Sequence, residues 1–258
     1  VSTTSDSLGL DVDANSTVSS LSVAHITPVS IAWGKTLNSG AITVTAGSIK
    51  LAETGTIGPN VSISMSGGTL DADNSLSLYG TLTQSGNITI DVAENKNLTY
   101  YGAPISVGAN TLTLSGGGRF GNNDTNIDLN NASSKLLLDS ITVDRVRTSL
   151  ANSGLDVDAD STVTSLTVGH TTPVSIASGK TLSGAITVTG GSIKLDEEGT
   201  LGSSVSMSGG TLDADKTLTL SGALTQSGSI TIDVKAGEAL TYSGAAVSLG
   251  ANTLTLSG

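Results

Sequence analysis

A long internal repeat constrains the fold of this chain more than any other feature, because the sequence of residues 9–116 recurs in residues 154–258. GLDVDA begins at 9 and 154, MSGGTLDAD at 65 and 207, and GANTLTLSG at 108 and 250. Such self-similarity is typical of folds built from stacked structural units. We predict a first long copy over residues 9–153 and a second, truncated copy over residues 154–258.

A shorter period lies inside the first copy. Small or polar residues repeatedly lead into an aliphatic residue, and these aliphatic positions are Val18, Leu37, Ile57, Leu76, Leu98 and Leu112. Most steps between them are about 19–22 residues, within the range of solenoid repeats. Apolar and polar residues alternate around these positions, which is typical of a strand with one buried face.

The two periods predict an all-β fold, a single-stranded parallel β-helix (β-solenoid) with coils of about 19–22 residues, continuous over residues 1–258. Apolar residues lack helical spacing, and glycine interrupts most runs. Asn-Gly and Asp-Gly turns, typical of antiparallel hairpins, are missing. Residues 117–153 have no second counterpart, but their alternation predicts further coils rather than a linker. A run of immunoglobulin-like sandwiches is the alternative, and it predicts beads of about 100 residues.

Composition narrows the classes of partner. Aromatic residues make up only 2% of the chain, and a narrow stacked core suits Val, Ile and Leu better than aromatic rings.

The formal net charge of -11 repels phosphate, so nucleic acid and anionic membrane are poor partners. Without cysteine, the chain has neither a disulfide framework nor a thiol site. No apolar run reaches the length of a membrane span, no secretion signal is visible, and Val1 indicates an excised fragment.

Paired aspartates are the most suggestive polar motif. They are Asp11 and Asp13, Asp71 and Asp73, Asp156 and Asp158, and Asp213 and Asp215. With Asn15 and Asp160, two of these pairs begin like a calcium loop, but the glycine and glutamate that such a loop needs are replaced by Ser or Thr. We predict corner residues that point outward and bond nearby backbone amides, with a weak calcium site as the alternative. The melting temperature is therefore expected to differ little between millimolar calcium and EDTA.

Other candidate residues also have structural interpretations. His25 and His170 each precede a Thr-Pro turn, and no second histidine or cysteine lies nearby in sequence to complete a zinc or catalytic site. Thr-x-Thr pairs such as Thr43 and Thr45 could form an ice-binding ladder, but serine interrupts the pattern and threonine is a common exposed strand residue. We predict no catalytic, cofactor-binding or metal-binding residues.

Acid pairs on a parallel β-helix also suggest the pectin-degrading enzymes, which share the general fold. Those sites need a cleft lined by acids, basic residues and aromatic rings. Three aromatic residues of the first copy, Trp33, Tyr79 and Tyr101, become Ser178, Ser221 and Ser243 in the second, so no aromatic sugar platform is kept. Because the acids recur in both copies, they have the character of a structural corner, and we predict that the chain is not an enzyme.

Segments such as GANTLTLSGGG and SGAITVTGGSIKL resemble the repeats of bacterial autotransporter passengers and filamentous-haemagglutinin-like adhesins. The resemblance implies a right-handed parallel β-helix outside the cell, at the bacterial surface or secreted, acting in adhesion, aggregation or biofilm formation. It carries over no functional residue. The expected role is a stalk or adhesive repeat region that meets a host-cell, neighbouring-cell or polysaccharide surface. A polysaccharide-binding or polysaccharide-degrading β-helix is the alternative function.

Overall fold

A computed structural model describes residues 2, 9–25, 27–51, 55–59, 61–122 and 125–258, and the backbone alone of Thr27 and Pro28. Within these ranges the regular structure is strand, and no helix is present. The described residues thus also contain no helix with the length and apolar character of a membrane span. The predicted all-β class is confirmed.

The strands are short and follow one another closely. In the first half of the chain they are β1 (Leu10–Val12), β2 (Ser16–Val18), β3 (Leu21–Val23), β4 (Thr27–Ile31), β5 (Thr36–Ser39), β6 (Ala41–Val44), β7 (Ser48–Leu51), β8 (Thr56–Ile57), β9 (Ser62–Met65), β10 (Thr69–Ala72), β11 (Leu76–Leu78), β12 (Leu82–Gln84), β13 (Ile88–Val92), β14 (Asn97–Tyr100), β15 (Ile105–Ser106), β16 (Thr111–Ser115), β17 (Arg119–Gly121) and β18 (Ile127–Leu129).

The second half continues in the same style. Its strands are β19 (Lys135–Leu138), β20 (Thr142–Thr148), β21 (Gly154–Val157), β22 (Ser161–Val168), β23 (Thr172–Ile176), β24 (Thr181–Val188), β25 (Ser192–Leu195), β26 (Thr200–Leu201), β27 (Ser204–Met207), β28 (Thr211–Ala214), β29 (Leu218–Leu220), β30 (Leu224–Gln226), β31 (Ile230–Val234), β32 (Leu240–Tyr242) and β33 (Leu254–Ser257).

The chain divides into two compact units. Unit 1 comprises residues 1–127 and 141–143, and unit 2 comprises residues 128–140 and 144–258. The division falls inside the segment 117–153 rather than between the two sequence copies at 153 and 154. That segment forms strands, as predicted, and β17 pairs with the start of β20 in unit 1 while β19 pairs with β21 in unit 2. Continuity of one solenoid over residues 1–258 stays a prediction.

Unit 1 is a parallel β-solenoid with three faces. The first face is the sheet β1-β4-β7-β10-β13-β16, the second is β2-β5-β8-β11-β14-β17, and the third is β3-β6-β9-β12. From β1 to β14, consecutive strands lie in different sheets, and each of these strands pairs in parallel with a strand three places along the chain. Each coil therefore visits the three faces in turn and lies on the coil before it.

Unit 2 repeats this path with two of the corners smoothed out. Its first face is β19-β21-β23-β25-β28-β31-β33. On the second face, β22 and β24 are long strands that each cover a stretch formed by two separate strands in unit 1, and their pairing shifts register between Val163 and Leu166. The second copy lacks a residue equivalent to Asn38, so TLNSGAITV becomes TLSGAITV in β24. With one residue fewer, the chain has no room for a separate corner within β24.

Aliphatic side chains of successive coils form columns in the interior. In unit 1, Leu70 lies between Ile49 and Ile90 in the first sheet, and all three are at most 1% exposed. Each coil buries few apolar groups by itself, so its stability depends on the coils beside it. The core is therefore a series of ladders, which explains why so few aromatic rings are needed.

The register of the ladders differs in part from the sequence prediction. Leu37 and Ile57 are partners, as their spacing indicated, but the next residue in that row is Leu78 and not Leu76. Leu112 is not part of the row at all, because it pairs with Ile88 on the first face. A displacement of two residues keeps a side chain on the inward face, so alternation alone does not distinguish the two registers.

Glycines at one corner let the coils approach closely. A Cβ atom added to Gly80 or Gly222 would lie 1.4 Å from the carbonyl oxygen of Val61 or 1.9 Å from that of Ser203. A Cβ atom added to their successors Gly102 and Gly244 would lie 2.3 and 2.2 Å from the carbonyl oxygens of Gly80 and Gly222. Only a residue without a side chain fits at this corner, which each copy therefore keeps as a column of glycine.

Candidate functional site

A row of polar side chains runs across the coils on the outer side of the first face of unit 1. Lys50, Asp71, Asp91 and Ser115 are consecutive partners in the strand register. Lys50 Nζ lies 3.6 Å from Asp71 Oδ2 and 2.7 Å from Asp73 Oδ2. The Ser115 hydroxyl donates a hydrogen bond of 2.5 Å to Asp91 Oδ1. We call this arrangement the acidic row.

The acidic row recurs in unit 2 as Lys194, Asp213, Asp233 and Ser257. Lys194 Nζ lies 2.6 Å from Asp215 Oδ2, and the Ser257 hydroxyl donates a hydrogen bond to Asp233 Oδ1. Two aspartates thus occupy neighbouring coils between a lysine and a serine in each unit. The row belongs to the repeat and not to one special position.

The electrostatics of the acidic row is unfavourable at its centre. Burial raises the pKa of Asp71, and Asp73 and Asp91 raise it further, while Lys50 opposes the shift. Burial also raises the pKa of Asp213, with Asp215 and Asp233 adding to the shift. Like charges on directly opposed strand positions repel. The chain therefore accommodates these central carboxylates at some expense to its stability.

Asp213→Asn is expected to raise the free energy of unfolding at pH 7 by roughly 0.2–1 kcal/mol, because it removes the opposed charge. The folded-state pKa of Asp213 is raised, so its favourable contribution is present below the unfolded pKa and is lost as pH rises through the folded pKa. The advantage of the variant should thus shrink as pH falls to about 3. Circular dichroism melting between pH 3 and 7 measures it.

Asp215→Asn is the matched control. A hydrogen bond from Lys194 lowers the pKa of Asp215, so its contribution is present above the unfolded pKa and is lost as pH falls through the folded pKa. This variant should be less stable than the parent at pH 7, with the difference disappearing in acid. Identical pH profiles for the two variants would contradict the proposed electrostatics.

The motif that begins like a calcium loop is a corner of the coil. Asn15 Oδ1 accepts a hydrogen bond of 3.0 Å from the Thr36 amide, and Asp160 Oδ1 accepts one of 2.7 Å from the Thr181 amide. The Ser16 hydroxyl, at the position where a calcium loop has glycine, donates to the Ala14 carbonyl at 2.8 Å. The Asn15 and Asp160 side chains thus join the corner to the next coil, whereas the Ser16 bond lies within the corner.

The paired aspartates themselves have different partners from those predicted. Asp71, Asp73 and Asp215 pair with the lysines of the acidic row, and Asp156 forms an ion pair with Lys135. Asp11, Asp13 and Asp158 are exposed on the surface. Within the described ranges, no three His, Asp or Glu side chains come together in a group that could hold a metal ion.

His25 and His170 lie exposed at equivalent turns of the two units. Each turn is followed, one coil later, by a glycine in the left-handed region, Gly47 at φ 69° and Gly191 at φ 66°. A Cβ atom on either glycine would lie 2.4 Å from the carbonyl carbon of the histidine below it. The structure therefore places each histidine where the coil backbones of its own unit meet.

Aromatic side chains form one exposed pair that the sequence comparison did not reveal. The Tyr79 and Tyr101 rings lie on successive coils with centroids 4.7 Å apart and planes 7° apart. Each ring covers one face of the other, and Tyr79 and Tyr101 are 42% and 41% exposed. Trp33 lies at another corner and is 83% exposed.

On the third face of unit 1, threonine does not build a uniform ladder, although Thr69, Thr89 and Thr113 are register partners on the first face. On the third face of unit 1, the outward row reads Ser22, Thr43, Ser64 and Thr83 from coil to coil. The hydroxyls of Ser64 and Thr83 are 3.1 Å apart and share a hydrogen bond. Serine alternates with threonine in this row, which lacks the repeated threonine pairs of an ice-binding surface.

Tyr100 and Tyr242 are equivalent residues whose role the sequence did not indicate. The Tyr100 hydroxyl accepts a hydrogen bond of 3.1 Å from the Leu82 amide on the coil below and donates one of 2.7 Å to the Ala103 carbonyl. Tyr242 bonds the Leu224 amide and the Ala245 carbonyl in the same way. Burial raises the pKa of Tyr100. This tyrosine is the one aromatic position kept in both copies, and it satisfies backbone groups where strand pairing lapses.

Tyr100→Phe is expected to destabilise unit 1 by about 1–2 kcal/mol, because it leaves the Leu82 amide and the Ala103 carbonyl without their partner. Hydrogen exchange of the Leu82 amide should accelerate roughly tenfold, since 1.4 kcal/mol corresponds to a factor of 10. Tyr101→Phe, which changes an exposed neighbouring ring, is the control. Equal exchange at Leu82 in the two variants would contradict the assignment.

Unit 2 also has an acid-lined groove on its surface. It has a volume of about 240 Å³ and is lined by Ser178, Asp196, Glu197, Glu198 and Lys216. The Ser175 hydroxyl donates a hydrogen bond of 2.7 Å to Asp196 Oδ1 and holds that carboxylate in place. Ser178 occupies the position of Trp33 in the first copy, so the groove lacks an aromatic wall on that side.

The geometry of each unit defines a parallel β-solenoid whose outward features recur from coil to coil. Comparison with family models, with curated proteins and with solved structures gives no match.

Proposed function

We propose that this chain is part of the repeat region of a large secreted bacterial surface protein. It acts there as a stalk that holds an adhesive region away from the cell, in adhesion, aggregation or biofilm formation. Its partners are host-cell, neighbouring-cell or polysaccharide surfaces, and it performs no catalysis. Nucleic acid is not a partner, because the net charge of -11 repels phosphate.

The observation that carries the proposal is the recurrence of one construction in both units. Each unit pairs its coils in parallel register, and each presents the same acidic row on its first face. A structure of this kind grows by the addition of coils without redesign of its core. Every added coil extends reach, and a surface that repeats along the chain favours multivalent contact.

Polysaccharide binding is the second candidate. The observation in its favour is the groove lined by Asp196, Glu197 and Glu198 in unit 2. Only Lys216 supplies a positive charge to its lining, and the exposed tyrosine pair lies in unit 1. An acidic groove of this kind suits neutral or cationic sugars and repels acidic ones.

The stalk proposal predicts a dependence of height on copy number. The chain is placed once or twice in tandem between a membrane anchor and a fluorescent reporter on a cell, and the reporter's distance from the membrane is measured by energy transfer to a membrane dye. The height should increase by about 4.8 Å for each coil that the second copy adds. An unchanged height would overturn the stalk.

A panel of neutral, cationic and acidic polysaccharides, immobilised and tested with the labelled chain, separates the second candidate. Saturable binding that is lost in Glu197→Gln/Glu198→Gln would replace the stalk with a sugar-binding role. Lys216→Gln, which changes the same groove without removing an acid, is the matched control. Binding to no member of the panel would rule out the second candidate.

A further inference from the structure

The corner between the second and third faces differs between the two units. In unit 1 its residues, from coil to coil, are Asn38, Gly58, Tyr79 and Tyr101, and we call this set the aromatic corner. In the second copy the positions of Tyr79 and Tyr101 hold Ser221 and Ser243, and Asn38 has no equivalent. Residues that distinguish the first copy from the second thus meet at one corner of unit 1.

The two tyrosine rings are exposed although coils lie on both sides of them. β11 pairs with β8 and with β14, and β14 pairs with β11 and with β17. Tyr79 and Tyr101 are nevertheless 42% and 41% exposed, and their ring centroids are 4.7 Å apart. Because each ring packs on the other, little side-chain freedom remains to be lost when a ligand binds.

The fold does not require these two rings. β11 and β14 have the equivalents β29 and β32 in unit 2, and Leu78 pairs with Tyr100 as Leu220 pairs with Tyr242. The residue that follows each of these strands in unit 2 is serine. Exposed aromatic surface that the core does not need is typical of a site of interaction.

Hydroxyl groups flank the aromatic corner on both sides. The outward row of the second face before the corner consists of Thr36, Thr56, Ser77 and Thr99. The outward row of the third face after the corner consists of Ser22, Thr43, Ser64 and Thr83. The rings therefore lie between two rows of groups that donate and accept hydrogen bonds.

The strands around the corner carry no charge. β5, β8, β11 and β14 before it and β6, β9 and β12 after it contain no Asp, Glu, Lys or Arg. Lys35 and Lys96 precede β5 and β14, and Arg119 begins β17, so all three lie at the opposite edge of the second face. Asp124, in the next corner along the chain, lies outside the described residues.

Asn38 brings a carboxamide to the same corner. A Cβ atom built on Gly58 would lie 2.1 Å from Asn38 Oδ1, so the carboxamide extends over the glycine toward the coil that carries Tyr79. Glycine at position 58 leaves that space to the amide. Four successive coils thus present an amide and two aromatic rings in one column, with hydroxyl groups on either side.

We propose that the aromatic corner of unit 1 binds a neutral oligosaccharide chain. The C–H surfaces of the sugar rings pack on Tyr79 and Tyr101, and the sugar hydroxyls bond the Asn38 carboxamide and the flanking hydroxyl rows. An acidic sugar has no cation to meet in the strands around the corner, and the net charge of -11 repels it. This site is separate from the acid-lined groove of unit 2 and does not depend on the stalk role, which the height measurement tests by itself.

The test is a nuclear magnetic resonance titration of the whole ¹⁵N-labelled chain with cellohexaose, maltohexaose and mannohexaose, and with hexagalacturonate as the acidic sugar. At least one neutral sugar is expected to give saturable shifts at Tyr79, Gly80, Tyr101 and Gly102 at millimolar concentration. Tyr79→Ser/Tyr101→Ser should bind that sugar at least about tenfold more weakly, since aromatic anchors dominate such contacts. Trp33→Ser, which also replaces an exposed ring by the residue of the second copy, is the matched control and should leave the affinity unchanged.

The serine variant reproduces residues with which unit 2 folds, and the signals of strands away from the corner report whether its fold is kept. Absence of saturable shifts with all three neutral sugars would overturn the proposal, as would equal affinity of the parent and the serine variant. An equal loss in Trp33→Ser, or tighter binding of hexagalacturonate, would do the same. Binding that Glu197→Gln/Glu198→Gln abolishes and the serine variant keeps would assign the sugar to the groove of unit 2 instead. Shifts at the two tyrosines that depend on protein concentration and that no sugar reduces would assign the corner to a second copy of the chain.

Discussion

Leu212→Ala is expected to lower the free energy of unfolding by about 2–5 kcal/mol, the range for removing a fully buried leucine side chain. Leu212 is 0% exposed and lies between Ile193 and Ile232 in the first-face ladder of unit 2. Side chains above and below are held by their own strands and cannot move into the space. Denaturant unfolding followed by circular dichroism measures the loss.

Thr211→Ala serves as its matched control. Thr211 precedes Leu212 in the same strand but points outward between Ser192 and Thr231. Its replacement should change the free energy of unfolding by about 0.5 kcal/mol or less, as is usual at the surface. Comparable losses for the two variants would mean that the ladder is not the source of stability.

Gly222→Ala is expected to destabilise unit 2 by about 3 kcal/mol, the upper end of the usual cost of adding a carbon to a packed interior. The new Cβ would lie 1.9 Å from the Ser203 carbonyl oxygen, a backbone atom of the coil below. A side chain could rotate away, but this carbonyl is part of the backbone that leads into β27 and cannot. The melting temperature should fall by roughly 6–12 °C, at 2–4 °C for each kcal/mol.

Gly209→Ala isolates the steric contribution. A Cβ atom on Gly209 meets nothing within 4 Å, and neither Gly209 nor Gly222 has a positive φ. Alanine at position 209 should therefore leave stability unchanged or raise it slightly through the unfolded state. If both substitutions lower the melting temperature equally, close approach of the coils at the glycine corner is not what position 222 provides.

The period and the alternation were enough to predict the class of fold. Both can be read directly from the sequence, as the recurrence of whole sequence motifs and the alternation of buried and outward positions around residues such as Ile49. The pairing register of the strands was harder to predict. Leu76 and Leu78 are both aliphatic and both face inward, so only the neighbouring coil determines which of them lies next to Ile57.

The polar features of the surface were predictable only in part. The corner role of Asn15 follows from the turn chemistry of its residue type and is observed as a bond to the Thr36 amide. The sequence analysis missed the acidic row because Lys50 and Asp71 are far apart in sequence and meet only through coil stacking. The sequence signal for it is the SIKL motif, which precedes TLDA by 21 residues in the first copy and by 19 in the second.

The tyrosine pairs show the same limit. Comparison of the copies drew attention to Tyr79 and Tyr101 because they are replaced, and it passed over Tyr100 because it is kept. The structure reverses the emphasis: Tyr100 bonds two backbone groups inside the unit, whereas the replaced rings lie outside. Retention of a rare aromatic residue among aliphatic ones was the available signal.

Contacts between coils join residues that are near in the chain, such as Leu82 with Tyr100, 18 positions apart, and Asn87 with Thr111, 24 positions apart. Closing loops of this size costs little conformational entropy, and folding of one coil does not depend on contacts with distant parts of the sequence. A chain of this design can thus settle one layer upon the last while the remainder is still unfolded, and each completed layer is the template for the next.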